Sequence, residues 1–425
     1  MSTQRNPSRF DVIIVGGGPA GASTAFALSR AGARVLVVDR AKFPRDKPCA
    51  EYLSPQASRL LSEMGALDTI ERAGAAHLAG MSVRAPNGAL LRGDFVGEHG
   101  FRAFRDRGLA LRRTVLDPIL LDCARNAGAV VREEARVTDV ARDKSGRVVG
   151  VRLLREQGAT ETIDAPLVIG ADGLRSVVAR RLDLARTSRF WPRRIALVAH
   201  YENFGDVGDW GEMHVERDVG YVGLAAVDGG LTNIAMVVPS SAARAVSSDR
   251  TAFFEQWLRD RPQLAPRVRH ARRVTPVLAT GPFASHARRA WAPGAALVGD
   301  AADFFDPFTG EGIYSALRGG EMLAPFALRA LGASSVHDSD SALRDYHRAR
   351  RAEFRGKWIV ERLISAAVGF APAINYFGRT LEARKDMADL LVGVCGDFIP
   401  ASEVLRPSYA LNLFRQSARR PAPDA

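Results

Sequence analysis

Gly16, Gly18 and Gly21 stand in a Gly-x-Gly-x-x-Gly spacing directly behind the apolar run Phe10–Val15. At a nucleotide pyrophosphate each glycine has its own task. One permits the tight turn, one lets the backbone approach the anion, and one lets the next helix pack closely on the strand. That helix, with Pro19 and Ala20 in its first turn, offers N–H groups and a positive dipole end to the phosphates. Asp39 follows 18 residues after Gly21, at the end of a second apolar run, Arg34–Val38. A carboxylate there accepts both ribose hydroxyls of an adenosine and disfavours a 2′-phosphate. FAD and NAD both fit this first site.

Two later motifs repeat the strand-to-turn logic. Gly170-Ala-Asp172-Gly173 ends the apolar run Leu167–Gly170. Gly299-Asp300 ends Ala295–Val298 and leads through Asp306-Pro-Phe-Thr-Gly310-Glu-Gly312-Ile313 into a helical pattern. An aspartate just past a buried strand can hydrogen-bond a polyol. A glycine-flanked helix start can aim N–H groups at the flavin edge where negative charge develops on reduction. His200, His214 and Tyr221 are the acid/base candidates in the middle of the chain, each more in keeping with a structural role. No catalytic residue is named, and no metal site is expected.

These motifs need elements to hold them. Phe10–Val15, the glycine turn, an alanine-rich helix to Arg30 and Arg34–Val38 form a βαβ unit. Arg113 opens a helical stretch, Thr114–Asn126. Ala129–Glu133, Ala135–Asp143 and Val148–Leu154 read as a meander. Residues 80–112 and 195–240 alternate in short runs split by Gly and Asp, the pattern of antiparallel sheet. The last 85 residues read as helical, with Phe354–Leu363 amphipathic and a break at Pro372.

The predicted fold class is α/β. A Rossmann-like dinucleotide-binding domain of glutathione-reductase type, with FAD or NAD as its ligand, is assembled from residues 1–80, 104–190 and 285–340. An antiparallel-sheet substrate domain, 81–103 and 191–284, is inserted into it, and a helical region, 341–425, follows. The substrate is expected between the bound dinucleotide and the sheet, along Phe190–Tyr201, Tyr221–Val238, Phe304, Phe305 and Phe308. Apolar residues dominate those stretches, which predicts a hydrophobic or aromatic small molecule.

Composition excludes more than it identifies. The chain has 425 residues and a net charge of +12. Only five of its 59 basic residues are lysines; the arginines are spread from end to end among 47 acids. Such dispersal is a compositional bias rather than a nucleic-acid site. Cys49, Cys123 and Cys395 form no CxxC pair, against a disulfide framework or structural zinc. With no secretory signal and no long apolar run, a cytoplasmic protein is expected, with peripheral membrane contact at most.

Taken together, the three motifs in this order resemble the FAD-dependent group A monooxygenase superfamily. Lys47-Pro-Cys49-Ala-Glu-Tyr-Leu-Ser-Pro55 and Asp306–Gly312 resemble its geranylgeranyl reductase branch. The resemblance implies FAD, with NADH or NADPH as transient electron donor. It places Gly16, Gly18, Pro19, Ala20 and Gly21 at the pyrophosphate, and Asp39 and Arg40 at the ribose. Arg113 and the Val137 backbone would touch FAD, with Cys49 beside the flavin. Asp172 and Gly173 would lie near the pyrophosphate, Gly299 and Asp300 at the ribityl chain, and Gly310, Gly312 and Ile313 at the isoalloxazine.

One departure bears on the reaction. The branch commonly has glycine where this chain has Ala50, so a φ above zero at 50 would be costly. That, with the absence of a membrane segment, favours an NAD(P)H- and O₂-dependent monooxygenase acting on a polyketide, isoprenoid or quinone-like molecule. The alternative is a reductase of isoprenoid C=C bonds, and a further one a non-catalytic FAD-binding or membrane-surface protein. Trp191, Trp210, Trp257, Trp291 and Trp358 form no Trp-x-Trp segment, which disfavours halogenation.

Overall fold

A computed structural model describes residues 10–96, 100–154, 159–188, 193–218 and 220–414. The strand Val12–Val15 is buried at every position and paired in parallel on both edges, with Val35–Val38 on one side and Leu167–Gly170 on the other. Ala295–Leu297 extends the sheet in parallel beyond Leu167–Gly170, and Trp291–Ala292 closes that edge antiparallel. Strands covered on both faces have no use for polar side chains, which is why these runs are continuous Val, Ile and Leu. Helix Pro19–Arg30 packs on helix Gly312–Leu331, and the contact is close. A Cβ added at Gly320 would stand 2.5 Å from Ser23 Oγ.

One expected pairing is corrected. Val130–Arg132, inside the run expected to open the meander, instead pairs in parallel with Val35–Val38 as the last strand of the first sheet. The antiparallel meander is Arg136–Arg142, Val148–Leu154 and Thr160–Asp164. Three alternating residues do not specify a partner. Helix Arg113–Asn126 decides it by returning the chain to the sheet edge, as a parallel crossover requires.

Among the described residues the second large sheet has eight strands. Arg194–Glu202, Leu231–Pro239, Tyr221–Val227 and Trp210–Val215 lie side by side, antiparallel throughout. Trp210–Val215 then pairs in parallel with Gly80–Arg84, which pairs antiparallel with Leu90–Asp94. Helix Val336–Val368 crosses this assembly and turns Arg350, Phe354, Lys357, Trp358 and Glu361 towards one cavity. Their spacing of three and four residues puts them on one helix face. The break at Pro372 falls in the first turn of the next helix, Ala371–Glu382, where a missing N–H costs nothing. Among the described residues no helix is long and apolar enough to cross a membrane.

Candidate active site

At the glycine turn the geometry leaves no room for side chains. Gly16 has φ +105°, and a Cβ on Gly21 would stand 1.8 Å from the Gly16 carbonyl oxygen. Gly18 caps helix Pro19–Arg30 without a side chain, so the first N–H groups stay open to an anion. Asp39 is buried at the end of the second strand. Its Oδ2 accepts the Gly17 N–H at 2.7 Å and its Oδ1 the Ala41 N–H at 2.8 Å. Arg40 beside it is exposed, and Val137 is buried in the meander.

Arg113 is the first residue of its helix and is buried in a two-pronged pair with Asp117, at 2.7 and 2.8 Å. Burial works against its charge, but Asp117 and Cys49 hold it above the usual arginine range. Asp172 accepts the Val177 N–H at 2.6 Å and so caps the short helix Val177–Arg181. Burial pushes its carboxyl up. Asp300 has Lys47 Nζ at 3.5 Å.

A single cavity joins these parts. Gly18, Pro19, Ala20 and Arg113 line it, and so do Gly310, Gly312 and Ile313. Cys49, Gly173, Gly299 and Asp300 also line it, whereas Gly16, Gly21, Asp39, Arg40, Val137 and Asp172 do not. Ala196, Val198, Tyr221, Leu224, Ala235 and Val237 form the sheet wall, faced by Phe304, Phe305 and Phe308. Phe190 and Trp191 lie outside the described residues. A pyrophosphate cradle continuous with a glycine-flanked helix start, at one apolar cavity, fits FAD. When bound, FAD supplies two-electron redox chemistry; the chain's part is to seat it and the substrate and exclude water.

Three networks around the cavity were not legible in the sequence. In the first, Glu51 is buried and lies in the left-handed region at φ +62°. The positive φ expected at 50 therefore falls on the next residue. Glu51 Oε2 lies 2.7 Å from His200 Nε2 and accepts Asn233 Nδ2–H at 2.8 Å, while Oε1 accepts the Arg113 N–H at 2.9 Å. His200 is thus placed behind the cavity wall, and its Nδ1 faces Thr275 Oγ1 at 3.1 Å.

In the second, Asp306 meets Arg194, Tyr221 and Ser365 in the interior. The third joins helix Val336–Val368 to the glycine turn: Lys357 Nζ is 3.2 Å from Glu311 and contacts Asp397. Glu361 lines the cavity one helical turn on. Its burial, with the nearby charges of Glu311 and Asp303, holds its carboxyl well above the usual range. Asn233 left a faint trace as a polar residue inside an apolar run. His214, by contrast, pairs with Glu212 at 2.9 Å.

Residues 9–355 match the model of the family described as FAD binding domain. The chain belongs to that family. This flavoprotein is 29% identical over 394 residues to digeranylgeranylglycerophospholipid reductase 2 of Methanopyrus kandleri, covering 91% of this chain and 93% of that one. It is 30% identical over 334 residues to the menaquinone reductase of Mycolicibacterium smegmatis, covering 75% and 76%. The solved structure of the flavin-dependent brominase Bmp2 matches with a TM-score of 0.79 and 20% identity, over 95% of this chain and 98% of that one. That last likeness is one of fold. The flavoprotein is an FAD-dependent oxidoreductase.

Proposed function

We propose that this oxidoreductase uses electrons from NADH or NADPH to reduce a double bond of a hydrophobic, isoprenoid or quinone-like molecule. The observation that carries the reading is Glu361, placed on the wall of an apolar, aromatic cavity, where burial and the charges of Glu311 and Asp303 push its carboxyl well above the usual range. Reducing a C=C bond takes a hydride at one carbon and a proton at the other. A carboxyl whose acid form is favoured by burial is a suitable donor for that proton. Phe305, Phe354 and Trp358 line the same cavity.

Two further points support reduction. The Methanopyrus and Mycolicibacterium relatives are reductases by name. The strain expected at Ala50 falls on Glu51 instead, so the alanine is no obstacle to a reductase.

Oxygenation of the same kind of molecule is the second reading, supported by the resemblance to group A monooxygenases and by a cavity that shields reactive species from water. Anaerobic incubation of the FAD-loaded protein with NADPH and menaquinone or a polyprenyl lipid separates them. Product carrying two additional hydrogens per bond supports reduction. Absence of anaerobic turnover, together with substrate-stimulated O₂ consumption, overturns it in favour of oxygenation.

A further inference from the structure

Glu51 is where three parts of the molecule meet. His200 and Asn233 are directly opposed in register on adjacent strands of the cavity wall, and both reach the same carboxylate oxygen. The other oxygen receives the backbone N–H of Arg113, the first residue of a helix whose start also lines the cavity. The third part is the segment carrying Glu51 itself. Its N–H points at Cys49 Sγ at 3.3 Å, and Asn233 Nδ2 also holds the Cys49 carbonyl at 3.0 Å.

The backbone tells which feature of residue 51 matters. At φ +62° a glycine would sit without strain, while a side chain is disfavoured. A residue kept in a costly conformation while two N–H donors and a histidine ring nitrogen converge on its carboxyl group is held there for that group. Removing it would leave Asn233, His200 and the Arg113 N–H without their shared acceptor, inside the protein where water does not substitute readily.

We propose that Glu51 is a positioning residue of the flavin reaction, its carboxylate tying the substrate wall to the helix start at Arg113. It acts through Arg113, Cys49 and Asn233, and the proposal holds whether the reaction is a reduction or an oxygenation.

The test is Glu51→Gly in the full-length, FAD-loaded protein, read without any substrate. Glycine relieves the backbone and deletes the carboxylate, so the two roles separate. The visible spectrum of bound FAD, its dissociation constant and its midpoint potential in a dithionite titration are compared with the parent. The expected result is a folded protein with shifted flavin bands, a displaced potential and FAD binding weakened about tenfold, the scale of losing a hydrogen bond to a charged group. Glu51→Gln, which keeps one acceptor oxygen, should recover part of the shift. A Glu51→Gly protein with the parent spectrum, affinity and potential overturns the proposal. Should that variant fail to fold, Glu51→Gln decides by the same readouts: altered values support the role and parental values overturn it.

Discussion

Arg194 Nη1 lies 2.6 Å from Asp306 Oδ2, and each side chain is only 2% exposed. This pair ties the first strand of the cavity wall to the loop that precedes the Gly310 turn. The Tyr221 hydroxyl donates to the other Asp306 oxygen at 2.5 Å, and Ser365 reaches in from helix Val336–Val368 at 3.2 Å. Breaking such a pair from one side strands a buried charge, at about 3–5 kcal/mol. Asp306→Asn should therefore lose several times more stability than Tyr221→Phe, which removes one hydrogen bond worth about 1 kcal/mol. Denaturant titrations measure both, and equal losses would show that the guanidinium finds another partner.

The glycine turn Gly16–Gly21 yields a sharper outcome. A Cβ at position 21 would overlap the Gly16 carbonyl oxygen, a backbone atom with nowhere to go. Gly21→Ala should purify without bound flavin and fail to take up added FAD. The ratio of flavin to protein absorbance is the measurement, and a yellow Gly21→Ala protein would contradict the close packing described.

Glu212 makes the molecule acid-sensitive. Burial alone would raise its pKa, but hydrogen bonds from His214 and Arg267 outweigh burial and bring it down to about 2 from an ordinary 4.5. A carboxylate depressed on folding contributes stability above its unfolded pKa and loses it as pH falls towards the folded one. The parent should thus lose stability between about pH 5 and pH 3 more steeply than Glu212→Gln. Melting temperatures across that range test it, and parallel curves would rule the pair out as the cause.

Glu361 carries the opposite sign. Its folded pKa is raised, by burial first and by Glu311 and Asp303 next. Below the ordinary carboxyl pKa it costs nothing; as pH rises, the unfolded chain releases its proton while the folded one retains it, so stability falls. Glu361→Gln should raise the melting temperature at neutral pH and leave it unchanged near pH 4. The same variant should slow turnover of the double-bond substrate without altering FAD binding, and undiminished turnover would remove Glu361 from the reaction.

Much of the glycine-turn geometry was legible before any coordinates. Gly16, Gly18 and Gly21 are readable because a turn, an anion and a close helix contact each exclude side chains locally, over a few residues. Asp39 and the Gly299–Ile313 segment are readable for a similar reason: each follows directly on a buried strand. The sequence did not show that Asp172 serves as a helix cap, because an Asp-Gly turn looks the same whichever group its carboxylate meets.

By itself, then, the sequence determined the βαβ unit, the tight glycine turn and the apolar runs of the sheets, all set by short-range sterics and hydrophobic periodicity. Tertiary structure decided what no local pattern encodes. It paired Val130–Arg132 in parallel, placed the left-handed residue at Glu51 rather than Ala50, and gathered Glu51, His200 and Asn233 from separations of up to 182 residues. Buried polar groups must find partners wherever the fold brings them, so their identity is a property of the packed molecule and not of their neighbours along the chain.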